Sequence, residues 1–431
     1  MITTLLLDDW KSYARSELQI DAITVVIGTN ASGKSNALDA LALLNRVATG
    51  ALLSYALQGD SSLAPLRGGV EWAARKPADS FRVGVICQAE DRLTEFHYLL
   101  GCSVLDGRCD VMSEELVRRR FKLTKDGRKV ETGKVRLLWT DPCEPRSPTI
   151  VVRLYNGKSG TKRELARAQP AIFQMHGQKL PQDTDEGVNE VIGSLREIFV
   201  LDPIPSHMRT YSPLADKLDS DARNIAGVIA AMPPSQKADI ERVLSQYAAK
   251  LPERDIKSVY AEPVGKFGSD AMLYSEEEWG SSAGTPPIVD ARGMSDGTLR
   301  FLAILTALLT RPKGSLLVIE EVDNGLHPSR AAMLLQMLQD VGADKGVDVL
   351  ATTHNPALLD AMGSRMVPFI TVAHRDPTNG HSVLTSLEDL KDLPRLLAQG
   401  SIGRLSSRGL IERSLQQQLP LEFDDSPAPH G

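Results

Sequence analysis

The chain has 431 residues, enough for two or three hydrophobic cores, because single cores stop growing at roughly 250 to 300 residues. Its composition, with 42% hydrophobic and 24% charged residues, is ordinary for a globular protein. The formal net charge of −6 excludes a generally basic coat of the kind that covers many nucleic-acid-binding proteins, although local basic patches remain compatible with it.

The absence of three sequence features indicates the cellular compartment. No apolar run reaches the roughly 18 residues that a membrane span needs, and the start, MITTLLLDDWKSY, carries acidic residues where a signal peptide carries basic ones. The cysteines have no C-x-x-C spacing, and we expect reduced, structural thiols at Cys87, Cys102, Cys109 and Cys143. We therefore expect a cytoplasmic protein.

The first predicted elements are a strand and a helix joined by a glycine-rich loop. The run DAITVVIG, residues 21–28, is rich in β-branched residues and predicts a strand buried on both faces of a sheet. SNALDALALLNRVATG, residues 35–50, has apolar residues at helical spacing and ends at Gly50, a typical helix stop. Between them, GTNASGKSN has the spacing of a phosphate-binding loop: a glycine, four residues, then Gly-Lys-Ser.

This loop has the chemistry to bind ATP and Mg²⁺. Its glycines allow backbone N–H groups to turn toward phosphate oxygens, and the following helix points its positive end at the anion. Lys34 can reach the β- and γ-phosphates, and the hydroxyl of Ser35 can ligate Mg²⁺. The predicted nucleotide-binding residues are Gly28, Asn30, Ala31, Ser32, Gly33, Lys34, Ser35 and Asn36.

Residues 81–173 have a different pattern, in which short strand-like runs alternate with Gly and Asp turns, and they predict an antiparallel meander. Within it, residues 118–136, RRRFKLTKDGRKVETGKVR, are the one strongly basic stretch of the chain. Two interpretations are open. The stretch is either the solvated surface of a hairpin, or a surface for nucleic acid or an acidic partner, with Phe121 available for stacking.

A second α/β stretch, after runs of helical period such as KADIERVLSQYAAKL, contains two strand ends with polar residues. SLLVIEE ends in Glu320, which would lie near Mg²⁺, and Glu321, which would act as the general base. His354 follows the strand-like run VDVLA and would bond the γ-phosphate, because open α/β sheets bind ligands at the carboxyl ends of their strands. An ordinary acidic turn and a structural histidine are the alternatives.

The order of these motifs resembles a known family. The phosphate loop, MSDGTLRFL, LLVIEEVDNGLHP and ATTHNP follow one another as in the ABC-type ATPase heads of the SMC, RecF and OLD (overcoming lysogenization defect) group. The chain is more closely similar to small bacterial AAA family ATPases of the AAA-21 type. This resemblance implies a P-loop NTPase of the ABC-ATPase head type, with an α/β fold, a mixed sheet and helices on both faces, that dimerises head to head around ATP.

The resemblance also assigns roles to individual residues. Ser295 and Gly297 stand at the signature positions, which in the family bind the γ-phosphate of ATP held by the other protomer. Residues 324–327 match the D-loop region, which crosses the dimer interface with Asn324 and His327. The family's metal-sensing glutamine has two weak candidates, Gln58 and Gln88. The acid pair Glu320-Glu321 departs from the more frequent Asp-Glu, which leaves metal affinity less certain than activity.

We expect an ATPase head split in the sequence by two inserted lobes. The expected ranges are the N-terminal part of the head at 1–80, an antiparallel β lobe at 81–175, a helical lobe at 176–285, the C-terminal part of the head at 286–375, and a last strand, helices and frayed tail at 376–431. OLD proteins carry a Toprim nuclease after the ATPase, but only about 70 residues follow NPALLDAM here, without a D-x-D pair, so we expect no Toprim domain. We also expect no long coiled coil of the SMC kind.

The favoured function is therefore an ATPase that dimerises around ATP and Mg²⁺ and gates a separately encoded nuclease or toxin, as in Septu-like or PARIS-like anti-phage defence systems. One alternative from the same fold is a RecF-like ATPase of DNA repair or chromosome maintenance. Another is a scaffold that binds the nucleotide and barely hydrolyses it.

Overall fold

The computed structural model describes residues 1–61, 63–251, 256–277 and 287–418. The strands are β1 (Ile2–Trp10), β2 (Tyr13–Gln19), β3 (Ile23–Ile27), β4 (Ser80–Gln88), β5 (Thr94–Leu105), β6 (Arg108–Leu123), β7 (Lys129–Thr140), β8 (Thr149–Leu154), β9 (Thr161–Ala166), β10 (Ile198–Leu201), β11 (Ser212–Pro213), β12 (Ile256–Val264), β13 (Asp270–Glu277), β14 (Ile288–Asp290), β15 (Leu316–Ile319), β16 (Asp348–Thr352), β17 (Ile370–Arg375) and β18 (Ser382–Ser386).

The helices are α1 (Lys34–Ala48), α2 (Leu53–Gln58), α3 (Ala171–Met175), α4 (Gln182–Arg196), α5 (Pro205–Met208), α6 (Ile225–Ala231), α7 (Pro234–Ala248), α8 (Asp296–Thr310), α9 (Ala331–Lys345), α10 (Pro356–Met362), α11 (Leu393–Leu397), α12 (Ile402–Ser407) and α13 (Leu410–Gln418). Short 3₁₀ helices lie at Pro328–Arg330, Ser364–Phe369 and Leu387–Asp389. Within the described residues, no helix combines the length and the apolar character that a membrane crossing requires.

One sheet of 14 strands organises the molecule, in the order β10-β15-β16-β3-β17-β18-β2-β1-β4-β5-β6-β7-β8-β9. The first five strands are parallel to one another, and the other neighbours are antiparallel except for β18 and β2. Parallel strands need long crossover connections, and here helices supply them. The predicted mixed α/β sheet is confirmed.

Helices cover both faces of the parallel part. Along β3, every residue is buried, and neighbouring side chains point into different cores. Val25 and Ile27 pack in a core with α8, α9 and α10, whereas Val26 packs in a core with α1 and α4. The uninterrupted apolar run that predicted this strand is thus explained by two covered faces.

The meander predicted from residues 81–173 is present as β4 to β9, consecutive antiparallel strands. It extends the main sheet edge to edge, because β4 pairs with β1 along most of its length. The two parts of the sheet meet at β18 and β2, through the pair Ser382 and Tyr13. The expected β lobe is therefore an extension of the same sheet.

The range expected to form a helical lobe, 176–285, contains helices but is not purely helical. Its strand β10 lies at the edge of the main sheet, parallel to β15. A second, small antiparallel sheet forms from β11, β12, β13 and β14, and α6 and α7 belong to the same core as β12 and β13. This sheet was not predicted, because the whole range was assigned to helices from the stretches of helical period around it, although β12 and β13 have nine and eight residues. The tail predicted to fray lies outside the described residues from 419 onward.

Candidate functional site

The phosphate-loop segment lies where its sequence predicts, between the carboxyl end of β3 and the first turn of α1. Gly28 and Gly33 have φ angles of 140° and 113°, a region that disfavours residues with a Cβ. A Cβ on Gly28 would also lie 2.1 Å from the carbonyl oxygen of Ala373, and one on Gly33 would lie 2.5 Å from Ser382 Oγ. Both positions therefore require glycine on two independent grounds.

The rest of the loop is held by side chains from distant parts of the chain. The hydroxyl of Tyr13 donates a hydrogen bond of 2.9 Å to the carbonyl of Gly33, and Arg375 donates one of 2.9 Å to the carbonyl of Ala31. Asn36 is fixed from both ends, by Ser12 at its side chain and by Trp10 at its carbonyl. Asn30 is exposed, and Ser32 Oγ is buried without a hydrogen-bond partner among the described residues.

The ammonium group of Lys34 folds back on the loop. It donates hydrogen bonds of 2.6 Å to the carbonyl of Gly28 and 3.0 Å to the carbonyl of Thr29. Burial lowers the pKa of Lys34, and the charges of Glu321, Glu320 and Glu412 act in the opposite direction. The ammonium is thus bonded to the loop's own carbonyl groups and lies within electrostatic reach of three carboxylates.

Ser35 and Glu320, the two predicted magnesium ligands, are in direct contact. Ser35 Oγ donates a hydrogen bond to Glu320 Oε1, although the residues are 285 positions apart. The contact forms because Ser35 begins α1 after β3, whereas Glu320 directly follows β15, and both strands end at the same edge of the parallel sheet. A hydroxyl and a carboxylate are the kinds of oxygen ligand that Mg²⁺ accepts together with phosphates.

The sequence analysis missed an arginine at this place. Arg67, in the segment between α2 and β4, forms an ion pair with the second oxygen of Glu320. It also lies 3.8 Å from Asp39, one turn along α1 from Ser35, and Asp39 is paired in turn with the buried Lys11. No motif spacing indicates Arg67, since it comes from a loop with no regular pattern.

Glu321 and His354 lie close together at the ends of neighbouring strands. The Nδ1 atom of His354 is 3.7 Å from Glu321 Oε1. Glu321 has a φ of 49°, which non-glycine residues rarely adopt, and its N–H donates a 2.8 Å hydrogen bond to the hydroxyl of Thr352. Strain of this kind is common at functional sites and is maintained by surrounding contacts. Thr353 and Asp323 complete the contact between the two strand ends with a 2.6 Å hydrogen bond.

The predicted signature segment opens α8. The side chain of exposed Ser295 caps the helix by accepting the N–H of Thr298 at 3.1 Å. Arg209 fixes the turn from outside, with hydrogen bonds of 2.9 Å to the carbonyl of Met294 and 2.6 Å to Asp296. A helix N-terminus with exposed polar groups is suited to an anion.

The predicted D-loop residues lie beside the signature in the same chain. A Cβ on Gly297 would be 2.9 Å from the carbonyl oxygen of Gly325, which belongs to the 324–327 segment. Asn324 donates its N–H to the carbonyl of Glu321 at 2.8 Å, and both Asn324 and His327 are exposed. The signature and the D-loop segment therefore present one continuous surface.

The two glutamine candidates differ in position. Gln58 ends α2 and lies near Gly69, two residues after Arg67. Gln88 ends β4 and bonds the carbonyl of Arg92, in the antiparallel part of the sheet. In the part of the chain that the structure describes, neither glutamine forms a hydrogen bond with Ser35 or Glu320, and Arg67 contacts Glu320 instead. All four cysteines are free, and the described residues contain no cluster of three or more His, Cys, Asp or Glu arranged to hold a metal.

A comparison with protein families finds one matching family model. The family model described as "AAA domain, putative AbiEii toxin, Type IV TA system" (AAA_21) matches residues 23–84 and 231–360, which include the phosphate loop, the signature, the acid pair and His354. No curated protein matches the sequence. The matched segments support a nucleotide-binding domain of the ATPase type, formed by two separated pieces of the chain.

Solved structures of SMC heads are similar over most of the chain, at low identity. The SMC head domain from Thermotoga maritima has 13% identity and a TM-score of 0.40, and covers 89% of this chain and 98% of that one. An SMC head bound to the C-terminal winged-helix domain of ScpA has 17% identity and a TM-score of 0.46, over 89% and 96%. An SMC head with an extended coiled coil, bound to the C-terminal domain of ScpA from Pyrococcus furiosus, has 14% identity and a TM-score of 0.46. The match covers 92% of this chain and 99% of that one.

Proposed function

We propose that this chain is an ATPase that binds ATP with Mg²⁺ and hydrolyses it between two copies of the chain. The observation that carries the proposal is the contact between Ser35 and Glu320, which unites the phosphate loop with the acidic strand end. An ordinary acidic turn would need no partner at the start of α1. The contact supports the assignment of these two oxygens, Ser35 Oγ and Glu320 Oε1, to one magnesium ion bound together with the phosphates.

The residues around this contact have separable roles. Lys34 would bind the β- and γ-phosphates, and Ser35 and Glu320 would hold Mg²⁺, whose charge offsets the negative charge of the phosphates. Glu321 would orient and deprotonate the attacking water, since its carboxylate is half-exposed and forms no ion pair with any lysine or arginine among the described residues. His354, next to Glu321, would donate a hydrogen bond to the γ-phosphate.

The second copy of the chain would complete the site. Ser295 and the N-terminus of α8 form an exposed surface with Asn324 and His327, and we assign this surface to the nucleotide held by the partner head. A helix N-terminus contributes an anion site only where an anion can reach it, and the exposure of Ser295 meets that condition.

For the biological setting we propose bacterial anti-phage defence, in which this ATPase gates a separately encoded nuclease or toxin. What supports it is the description of the matching family, which names a toxin–antitoxin system. A RecF-like role in DNA repair is the alternative from the same fold. The gene beside this one separates them: a nuclease or toxin gene favours defence, and replication or repair genes favour the alternative.

The test of the proposed function compares three substitutions. Lys34→Ala should weaken ATP binding roughly 10- to 150-fold or more, because a charge-assisted hydrogen bond is worth about 1.5 to 3 kcal/mol. Glu321→Gln should keep ATP binding, lower the hydrolysis rate roughly 10²- to 10⁴-fold and accumulate the ATP-bound dimer. Glu320→Gln should raise the Mg²⁺ concentration needed for ATP binding.

Two exposed positions supply matched controls, Lys266→Ala for the lysine and Glu388→Gln for the glutamates. The controls should behave as the parent protein does in titrations with a fluorescent ATP analogue and in steady-state phosphate release. Parental hydrolysis in both Glu320→Gln and Glu321→Gln would contradict the proposed chemistry. A parent protein that binds ATP tightly without releasing phosphate would instead support a nucleotide-bound scaffold.

A further inference from the structure

The hairpin of β6 and β7 extends beyond its neighbours in the sheet. On one side the neighbouring strand β5 begins only at Thr94, which pairs with Arg120, so β5 does not accompany β6 beyond that residue. On the other side β8 pairs only with residues 138–140 of β7. Residues 121–131 therefore form a two-stranded ribbon with no further strand on either side among the described residues. Its turn is closed by hydrogen bonds of 2.9 Å between Thr124 and Arg128 and between Gly127 and Thr124.

The ribbon and its base, residues 118–136, are strongly basic. The segment has nine Lys or Arg and two Asp or Glu, a net charge of +7 in a chain whose total is −6. Five of the cations form ion pairs: Arg118 with Asp183, Arg119 with Glu131, Arg128 with Asp126, Lys129 with Glu95 and Arg136 with Glu115. The other four, Arg120, Lys122, Lys125 and Lys134, form no ion pair with a described residue.

The four unpaired cations are placed to meet a polyanion. Arg120, Lys122, Lys125 and Lys134 are all exposed. Arg120 and Lys122 are two apart on β6 and therefore lie on one face of the ribbon, while Lys125 lies in its turn. The opposite face carries Arg119, Lys129 and Lys134. Lys129 lies 2.9 Å from Glu95 and Arg119 lies 3.7 Å from Glu131, whereas Lys134, the cross-strand partner of Arg119, has no ion pair among the described residues. Unpaired cations therefore lie on both faces of the ribbon and in its turn, where they could meet phosphates on either side of a groove.

We propose that this ribbon binds double-stranded DNA, with its two strands in the major groove and its unpaired cations on the phosphates. The major groove of B-form DNA admits a two-stranded β-ribbon, and a free ribbon of this kind is what β6 and β7 provide. The net charge of the remaining chain is negative, so DNA is attracted to the ribbon and repelled elsewhere. The proposal goes beyond the ATPase and does not depend on it.

Stacking on single-stranded bases fits the ribbon less well. Phe121, which the sequence offered as a stacking residue, is half-buried, and the ammonium of Lys129 lies 5.1 Å from the centre of its ring. That contact occupies the aromatic face that a base would need. Duplex RNA fits less well too, because its major groove is deep and narrow. The ribbon therefore favours duplex DNA among nucleic acids.

The experiment measures binding of the full chain to a fluorescein-labelled DNA duplex by anisotropy, across a range of salt concentrations without nucleotide. Two variants remove the unpaired cations in pairs, Arg120→Ala with Lys122→Ala and Lys125→Ala with Lys134→Ala. Each pair should lower the slope of log K against log salt by about 2, since each lost phosphate contact lowers it by about 1. The matched control removes two exposed lysines elsewhere, Lys266→Ala with Lys391→Ala, and should keep the parental slope and affinity.

ATP binding by the ribbon variants should equal that of the parent. A failure of the DNA-binding proposal can therefore be told apart from a failure of the proposed ATPase. An RNA duplex of the same sequence should bind more weakly than the DNA duplex. The proposal is overturned by equal binding of the two duplexes, by ribbon variants with the parental salt slope, or by a parent chain that does not bind DNA at low salt.

Discussion

The parallel and antiparallel parts of the main sheet differ in how their strands are buried and in what they contribute. In the parallel part the strands are short, four to six residues, and β3, β15 and β16 are buried along their whole length. In the antiparallel part β6 runs for 16 residues and its outer end is exposed. Buried parallel strands can expose polar groups only where they end, whereas long antiparallel strands expose side chains all along one face.

The difference explains where the chemistry lies. Ser35, Glu320 and His354 all follow the carboxyl ends of parallel strands, which is where open α/β sheets bind ligands. The antiparallel part contacts the same place from outside, through Trp10 and Tyr13, which bond backbone carbonyls of Asn36 and Gly33. Lys11 and Arg67, which come from connections, contact its carboxylates. We therefore expect substitutions in the parallel part to change nucleotide chemistry, and substitutions in the antiparallel part to change stability and the binding of partners.

The largest expected effect tests whether the parallel part of one chain can hydrolyse ATP without a second chain. Ser295→Arg should leave each chain able to bind ATP but unable to close the dimer, because the longer side chain would occupy the space of the partner's γ-phosphate. Hydrolysis should be lost, as in Lys34→Ala. A mixed dimer of these two variants has one site with both defects and one site with neither. Mixing them should therefore restore a part of the parental rate of phosphate release.

The control for the mixing experiment is each variant alone at the same total concentration, which should stay inactive. A matched control is Ser401→Arg, which makes the same substitution at an exposed serine that precedes α12, away from the signature. This variant should keep the parental rate. A lack of recovery under conditions of subunit exchange would remove the main support for a shared site. A parental rate in Ser295→Arg alone would show that the site is complete within one chain.

A smaller effect is expected at Arg67, where the antiparallel part touches the site. Its guanidinium pairs with Glu320, the carboxylate that we assign to Mg²⁺, so the arginine and the metal compete for the same group. Arg67→Ala should lower the Mg²⁺ concentration for half-maximal ATP binding by up to about fivefold, because half-exposed ion pairs are worth at most about 1 kcal/mol. Arg67→Lys, which keeps the charge, should stay close to the parent. An increased Mg²⁺ requirement in Arg67→Ala would mean that Arg67 supports the metal site.

The parts of the site that consist of local sequence motifs could be predicted from the sequence. The parts that form by contacts between residues distant in the sequence could not. The spacing from Gly28 to Ser35 is a local pattern, and the strand before it and the helix after it have clear periodicity, so the loop could be placed on its elements. The acid pair and His354 are recognisable as polar residues after apolar strands. Arg67 gave no signal, because its relation to Glu320 depends on how a loop folds back across 253 positions.

The same limit applied to the fold. Individual strands of the meander follow from alternation and turn residues, but nothing in the sequence says that β2 lies beside β18, since Tyr13 and Ser382 pair across nearly the whole chain. The meander was therefore expected as a lobe and is found as an extension of one sheet. The small sheet of β11 to β14 was missed for a different reason. Its central strands β12 and β13 form a hairpin, but their range was assigned as a whole to a helical lobe, and only β11 pairs across helices.

A further prediction belongs to the antiparallel part and concerns stability and not catalysis. Glu114 on β6 is buried, and it accepts hydrogen bonds from the N–H groups of Ala171 and Ile172, which begin α3, and from the hydroxyl of Tyr98. Burial raises the pKa of Glu114 to about 7, although the backbone and tyrosine hydrogen bonds favour the charged form. In the unfolded chain the same group titrates near 4.5, so the folded protein holds the proton more tightly.

The sign of the pH dependence follows from that difference. Between pH 4.5 and about 7 the folded state binds more protons than the unfolded state, so Glu114 makes the free energy of unfolding fall as the pH rises, by at most about 1.4 kcal/mol per pH unit. Denaturant unfolding at several pH values should show this component in the parent and in Glu115→Gln, whose position is half-exposed on the next residue of β6, but not in Glu114→Gln. ATP binding by Glu114→Gln at pH 7 should equal that of the parent, because the change lies outside the parallel part. A pH profile that Glu114→Gln leaves unchanged would assign the slope to other groups, and a loss of ATP binding in a folded Glu114→Gln protein would contradict the division between the two parts of the sheet.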